Sequence, residues 1–113
     1  MIKSFQVTRL ENASNLTVVT IDVLENGSLL VRDWSIGDFA DEVYGSDVER
    51  NIELAPESVE KLLSRVVNIP DPKTPESCAS YLARQYKNEN RALTSIRDLC
   101  DQHGVQYKEE FWP

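Results

Sequence analysis

The chain has 113 residues, 41% of them hydrophobic, and its 12 basic and 19 acidic side chains leave a formal net charge of −7. That length and apolar content fit one domain with a core of its own, and the negative balance repels phosphate backbones and anionic membranes, which argues against nucleic acid or lipid as a partner. Residues 1–17 hold no apolar stretch of the signal-peptide kind, and no run approaches the roughly 18 apolar residues of a membrane span, so a cytoplasmic protein is expected.

In chain order, Ile2 to Arg9 and Leu16 to Glu25 read as strands, because Val19, Ile21 and Val23 alternate with Thr20 and Asp22 as a half-buried strand requires. Asn26-Gly27 predicts a two-residue type I′ turn with positive φ at both positions, and Ser28 to Trp34 returns as the paired strand. Val48 to Leu54 is the next strand. There Val48, Arg50, Ile52 and Leu54 share one face, so Arg50 needs an acidic partner if that face is buried.

From Pro56 onward the period changes to that of a helix. Proline suits a first helical position, and Val59, Leu62, Leu63, Val66 and Val67 follow as one apolar stripe that should lie on the sheet. Asn68 to Lys73 is a proline-punctuated loop. Thr74 then caps a second helix, with Pro75 and Glu76 in its first turn and Cys78, Tyr81, Leu82 and Tyr86 on its buried face. Asn88 is a candidate cap for the last helix, where Leu93, Ile96, Leu99, Cys100 and His103 recur at helical spacing and Gly104 suits a left-handed stop. Val105 to Trp112 should be extended, as an edge strand. The expected architecture is a single α+β domain: an antiparallel sheet from the N-terminal half, with about three helices from the C-terminal half packed on one face.

Catalytic constellations are missing from the pattern. His103 is the lone histidine and falls at a helix end. Cys78 and Cys100 form no CxxC pair, and in a reducing compartment each is expected as a buried thiol rather than half of a disulfide. Three triplets of glycosylation type, Asn12-Ala13-Ser14, Asn15-Leu16-Thr17 and Asn26-Gly27-Ser28, matter only in a secreted chain. No phosphate loop, nucleophile elbow or zinc-ligand spacing occurs, and the acids Asp38, Asp41, Glu42 and Asp47 break the ligand spacing of a calcium loop. The sequence therefore reads as a non-enzyme without cofactor or metal.

One stretch stands apart. DWSIGDFADEVYGSDVERNIEL, residues 33–54, holds seven carboxylates against the single base Arg50, with Trp34, Phe39 and Tyr44 among them. A solvated connection between strands is the plain reading of such a run. Against it, residues 1–55 carry ten acids and four bases, whereas residues 56–113 carry nine acids and eight bases. Nearly all the excess charge belongs to the sheet half, and a one-sided field steers a basic partner. The predicted partner-binding residues are Trp34, Asp38, Asp41, Glu42, Tyr44, Asp47 and Glu49, the aromatics serving as anchors.

The runs D-W-S-I-G, E-V-Y-G-S-D-V-E and P-E-S-V-E-K-L-L, together with the ending G-V-Q-Y-K-E-E-F-W, resemble a group of small acidic bacterial proteins built from a strand, a turn, an acidic segment and a helix. Proteins of this size and layout are similar to the immunity proteins that accompany secreted toxins, including those of contact-dependent growth inhibition. The resemblance covers about half the chain and touches Asp33, Gly37, Glu42, Gly45, Ser46, Asp47 and Glu49; it departs at Trp34 and Val48. It implies an immunity protein that occludes the substrate cleft of a basic toxin domain of the nuclease kind. Acidic charge independently fits such a plug, because nuclease clefts are basic. The alternative expectation is a structural or adaptor protein that forms homo-oligomers through a sheet edge or the C-terminal tail.

Overall fold

The computed structural model describes residues 2–11, 15–37, 48–66 and 69–112, with backbone alone at Val48, Phe111 and Trp112. Five strands form one antiparallel sheet in chain order: β1 (Lys3–Glu11), β2 (Asn15–Val23), β3 (Leu29–Gly37), β4 (Val48–Leu54) and β5 (Lys108–Trp112). Between β4 and β5 come α1 (Pro56–Arg65), α2 (Pro75–Gln85) and α3 (Ala92–Gln102). The α+β architecture expected from the two sequence periods is therefore the one observed, and the C-terminal segment is the edge strand beside β4.

Register explains which face is buried. Val23 pairs with Leu29, Ile21 with Val31, Leu29 with Leu54 and Val31 with Ile52, so these side chains share one side of the pleat, and all are at most 2% exposed. The helices cover that side. α2 packs on β1 and β2, α3 on β3 and β4, and α1 on β4 and α2. Their apolar stripes, Val59, Leu62 and Leu63 from α1, Cys78, Ala79, Leu82 and Ala83 from α2, and Ala92, Leu93, Ile96 and Cys100 from α3, complete one core with the strands.

Local chemistry sets the element ends. Pro56 opens α1, and Ser58 Oγ donates 2.6 Å to the Gln106 carbonyl, tying that helix to the chain leading into β5. Thr74 caps α2 as expected: its hydroxyl accepts from the Ser77 amide at 3.1 Å, while Ser77 Oγ accepts from the Thr74 amide at 2.8 Å. α3 ends in a Schellman motif. Gly104 lies at φ +66°, Val105 N–H donates to the Cys100 carbonyl at 2.9 Å, and Val105 is 3% exposed.

Several expectations change. The β2–β3 connection is a three-residue loop, not a type I′ turn: Gly27 N–H donates to the Leu24 carbonyl, Leu24 N–H to the Ser28 carbonyl, and Gly27 alone takes positive φ. Asn26 instead accepts the Ser28 amide through Oδ1 at 3.0 Å, the tethering that turn asparagines favour. Asn88 does not cap α3, whose N-cap is Arg91 without a side-chain bond. It adopts φ +59° and donates its amide to the Val7 carbonyl at 2.9 Å. His103 is an exposed cap residue rather than part of a buried face, and Tyr81, Tyr86 and Leu99 are only partly buried. Asn12, Ala13, Ser14, Val67 and Asn68 lie outside the described residues.

The contact from Asn88 falls at a β-bulge in β1. The register shifts between Gln6 and Thr8, so Val7 and Thr8 are both buried, and Thr8 Oγ1 donates 2.7 Å to the Glu89 carbonyl. A bulge held by a neighbouring loop blunts that sheet edge against pairing with another chain.

Candidate functional site

The nine-residue strands β1, β2 and β3 run about 30 Å at roughly 3.3 Å per residue, whereas helices of ten or eleven residues span only about 16 Å. The sheet therefore outruns the helical layer. Burial follows that mismatch: β2 is buried from Val19 to Val23 apart from Thr20, but partly exposed from Asn15 to Val18, and Leu10 of β1 is 37% exposed. At this projecting end β3 finishes at Gly37 and β4 begins at Val48.

No described helix covers the other face of the sheet, on which Val18, Thr20, Arg32, Trp34 and Glu49 surround a shallow trough of about 280 Å³. Their juxtaposition is a matter of register: Thr20 pairs with Arg32, Val18 with Trp34, and Trp34 with Glu49. Successive same-face residues on a strand stand about 7 Å apart, so the trough lies between the Thr20–Arg32 row and the Val18–Trp34–Glu49 row. Trp34 is 47% exposed, an unusual position for the largest apolar side chain. Trp112 is the backbone partner of Glu49 on β5.

Carboxylates outnumber bases in this patch. Arg32 donates from Nε and its terminal nitrogen to Glu49 Oε1 at 2.9 and 2.8 Å, and lies 3.7 Å from Asp22 Oδ2. The Asp22 side chain is 8% exposed and takes a 2.7 Å bond from Ser4 Oγ on its other oxygen. The hydrogen bond to Glu49 is the main cause that raises the Arg32 pKa, with Asp22 adding to it. Two acids thus share one guanidinium, and one negative charge is left over. Asn51 Oδ1, on the same face of β4 and paired in register with Arg32, is buried without a hydrogen-bond partner among the described residues.

Comparison with known proteins yields nothing. No protein-family model matches the chain, and no match was found among curated proteins or solved structures.

Of the residues singled out in the sequence, Trp34 and Glu49 are brought side by side. Asp38, Phe39, Asp41, Glu42, Tyr44, Gly45, Ser46 and Asp47 lie outside the described residues, as does the Val48 side chain. Sequence reasoning missed Arg32, Asp22, Val18 and Thr20. The signal was present in the alternation of β2 and β3, which sets Thr20 and Asp22 opposite the core residues, but only the pairing of three strands shows that they meet Glu49.

On the helix-covered face, Arg50 has the acidic partner its position demanded. Its terminal nitrogen is 3.4 Å from Glu109 Oε1, which also receives Arg97 of α3 at 3.3 Å. Asp33, the register partner of Arg50, has its pKa raised chiefly by burial, against the opposing effects of Arg50 and of the Ser35 hydroxyl at 3.4 Å. Burial likewise pushes the Cys78 thiol up to about 12 and Cys100 to about 11, so both free thiols are held protonated and unreactive. Among the described residues, no cluster of histidine, cysteine and carboxylate groups suits a metal, and no helix is long and apolar enough to cross a membrane.

Proposed function

We propose that this protein is a stoichiometric inhibitor of the immunity type, which binds a basic toxin domain, of the nuclease kind, and occludes its substrate cleft. The observation that carries the reading is the exposed Trp34 beside Glu49 on a sheet face that no described helix covers, near the end of β3 that precedes the acidic stretch in sequence. Trp34 supplies an apolar anchor with low conformational cost, and the surrounding carboxylates supply the field that a cationic cleft meets. Asp38, Asp41, Glu42, Tyr44 and Asp47 enter this reading through sequence alone. The function is binding rather than turnover, and it takes place in the cytoplasm.

Self-association through the β1 edge has less support, because that edge is bulged and its Val7 carbonyl already accepts the Asn88 amide, which leaves the β5 edge and the C-terminal tail for that alternative. Affinity capture from the native cell's lysate, at low and at high salt, tests the main reading. The expected result is a basic polypeptide, held at low salt and released at high salt, whose toxic activity falls to zero at one equivalent of this protein. Recovery of no basic partner, together with concentration-dependent sedimentation of the protein alone, would replace it with the self-association reading.

A further inference from the structure

The trough between Thr20–Arg32 and Val18–Trp34–Glu49 joins an exposed indole to a carboxylate. At about 280 Å³ it falls just below the range of small-molecule pockets, which run from about 300 to 1,000 Å³, and it is open along the sheet, so it suits a protruding side chain better than a free metabolite. We propose that it receives an arginine side chain of the basic partner, with the guanidinium against the Trp34 indole and paired with Glu49, and that Arg32 holds that position in the free protein. The proposal rests on the reading above and specifies what the partner must present.

Three alternatives fail on chemistry. An anion would approach two carboxylates, and the Arg32 donors are already directed at Glu49 and Asp22. An apolar anchor would take the Arg32–Glu49 pair out of water without giving either group a new partner. Lysine would satisfy the charge and can sit over an aromatic ring, as Lys3 does over Phe5 at 5.0 Å, but its compact, strongly hydrated ammonium makes a weaker contact with an indole than a stacked guanidinium and offers no planar fork of donors. Arginine offers both, with a stacked cation–π contact to Trp34 and a charge-assisted bond to the carboxylate.

Arg32 is suited to yield. Its side chain is 47% exposed, and both of its close contacts to Glu49 go to Oε1, leaving Oε2 with no bond among the described residues. The incoming guanidinium takes Glu49 while Arg32 turns toward Asp22 or solvent. The local charge then comes to zero, where the free protein leaves one carboxylate in excess.

The test uses two peptides of equal charge, acetyl-triarginine amide and acetyl-trilysine amide, titrated by calorimetry and by the indole N–H signal of Trp34, which Trp34→Phe assigns. The arginine peptide should bind at least fivefold more tightly than the lysine peptide and shift the Trp34 signal. Trp34→Leu and Glu49→Gln should each weaken it about tenfold, while Arg32→Gln should tighten it severalfold. Denaturation midpoints establish that each variant is folded, and Glu49→Asp replaces Glu49→Gln if the latter is not. Equal affinity for the two peptides, an unmoved Trp34 signal, or weaker binding by Arg32→Gln overturns the arginine trough. Capture of a basic toxin with an affinity indifferent to Trp34→Leu would likewise overturn it, while leaving the inhibitor reading in place.

Discussion

Asp33 and Leu62 show how differently a single residue enters the stability of this domain. Leu62 of α1 is fully buried in the core, so Leu62→Ala should cost about 2–5 kcal/mol in chemical denaturation, the range for truncating a packed leucine; a loss below about 1 kcal/mol would mean that α1 does not pack as described. Asp33 works the other way. Its folded pKa lies above the ordinary 3.8, mainly through burial, so between the unfolded and folded values the native state holds more proton than the unfolded chain. Stability contributed by this group is then greatest at or below the unfolded pKa and falls as pH rises through the folded one. Asp33→Asn removes that loss. Measured by urea denaturation from pH 4 to pH 7, the variant should gain on the parent as pH rises and then hold a constant advantage once Asp33 is ionised. An advantage that grew toward acid pH would reverse the sign and show that the attraction of Arg50 outweighs burial.

At the level of elements, the sequence was most legible where one residue has a single physical use. Gly104 closes α3 because position C′ of a Schellman motif needs a left-handed backbone, and the apolar stripe of α1 needs a sheet to cover it. It was least legible where a residue has two uses. Asn26-Gly27 serves a two-residue turn or a three-residue loop with almost the same composition, and the bond from Asn26 Oδ1 to the Ser28 amide, visible only in three dimensions, accompanies the second. Asn88 reads equally as a cap or as a left-handed turn residue, and the distant Val7 carbonyl accompanies the turn. The extension of β3 to Gly37 depended on pairing with Asn15 to Thr17, a relation between segments and not within one. For the same reason the trough was only half legible: Trp34 and Glu49 stood out by type, but Arg32 and Asp22 became relevant through strand register. Gly104→Ala tests the element that was read best. An added Cβ meets nothing within 4 Å, so the cost is conformational alone, about 1 kcal/mol for a left-handed alanine, and Gly104→Asn should recover part of it. A loss several times larger would mean that Gly104 serves packing as well.

For the molecule as a whole, the division of charge sets the sheet half, net −6, against a helical half at net −1. If that asymmetry guides a basic partner, reversing Asp41, Glu42 and Asp47 to lysine should slow association steeply and flatten its dependence on salt, since exposed charges act over about one Debye length, near 10 Å at 0.1 M. The matched control reverses Glu57, Glu60 and Glu76, all exposed on the helices, and so changes net charge equally while sparing the acidic stretch. It has a cost of its own, because Glu57 and Glu76 occupy the first turns of α1 and α2, where replacing an acid by a base opposes the helix dipole by about 0.3–1 kcal/mol each. Both variants must therefore be compared by association rate at temperatures well below their midpoints, with the midpoints recorded. Equal slowing of the two would mean that net charge alone attracts the partner, wherever the acids lie. No slowing of either would return the stretch to a solvated connection between β3 and β4. Selective slowing of the first variant, at an unchanged dissociation rate, is the outcome a steering field requires, because charges that only steer act before contact, while in the proposed complex Trp34 and its neighbours would hold the partner once it has docked.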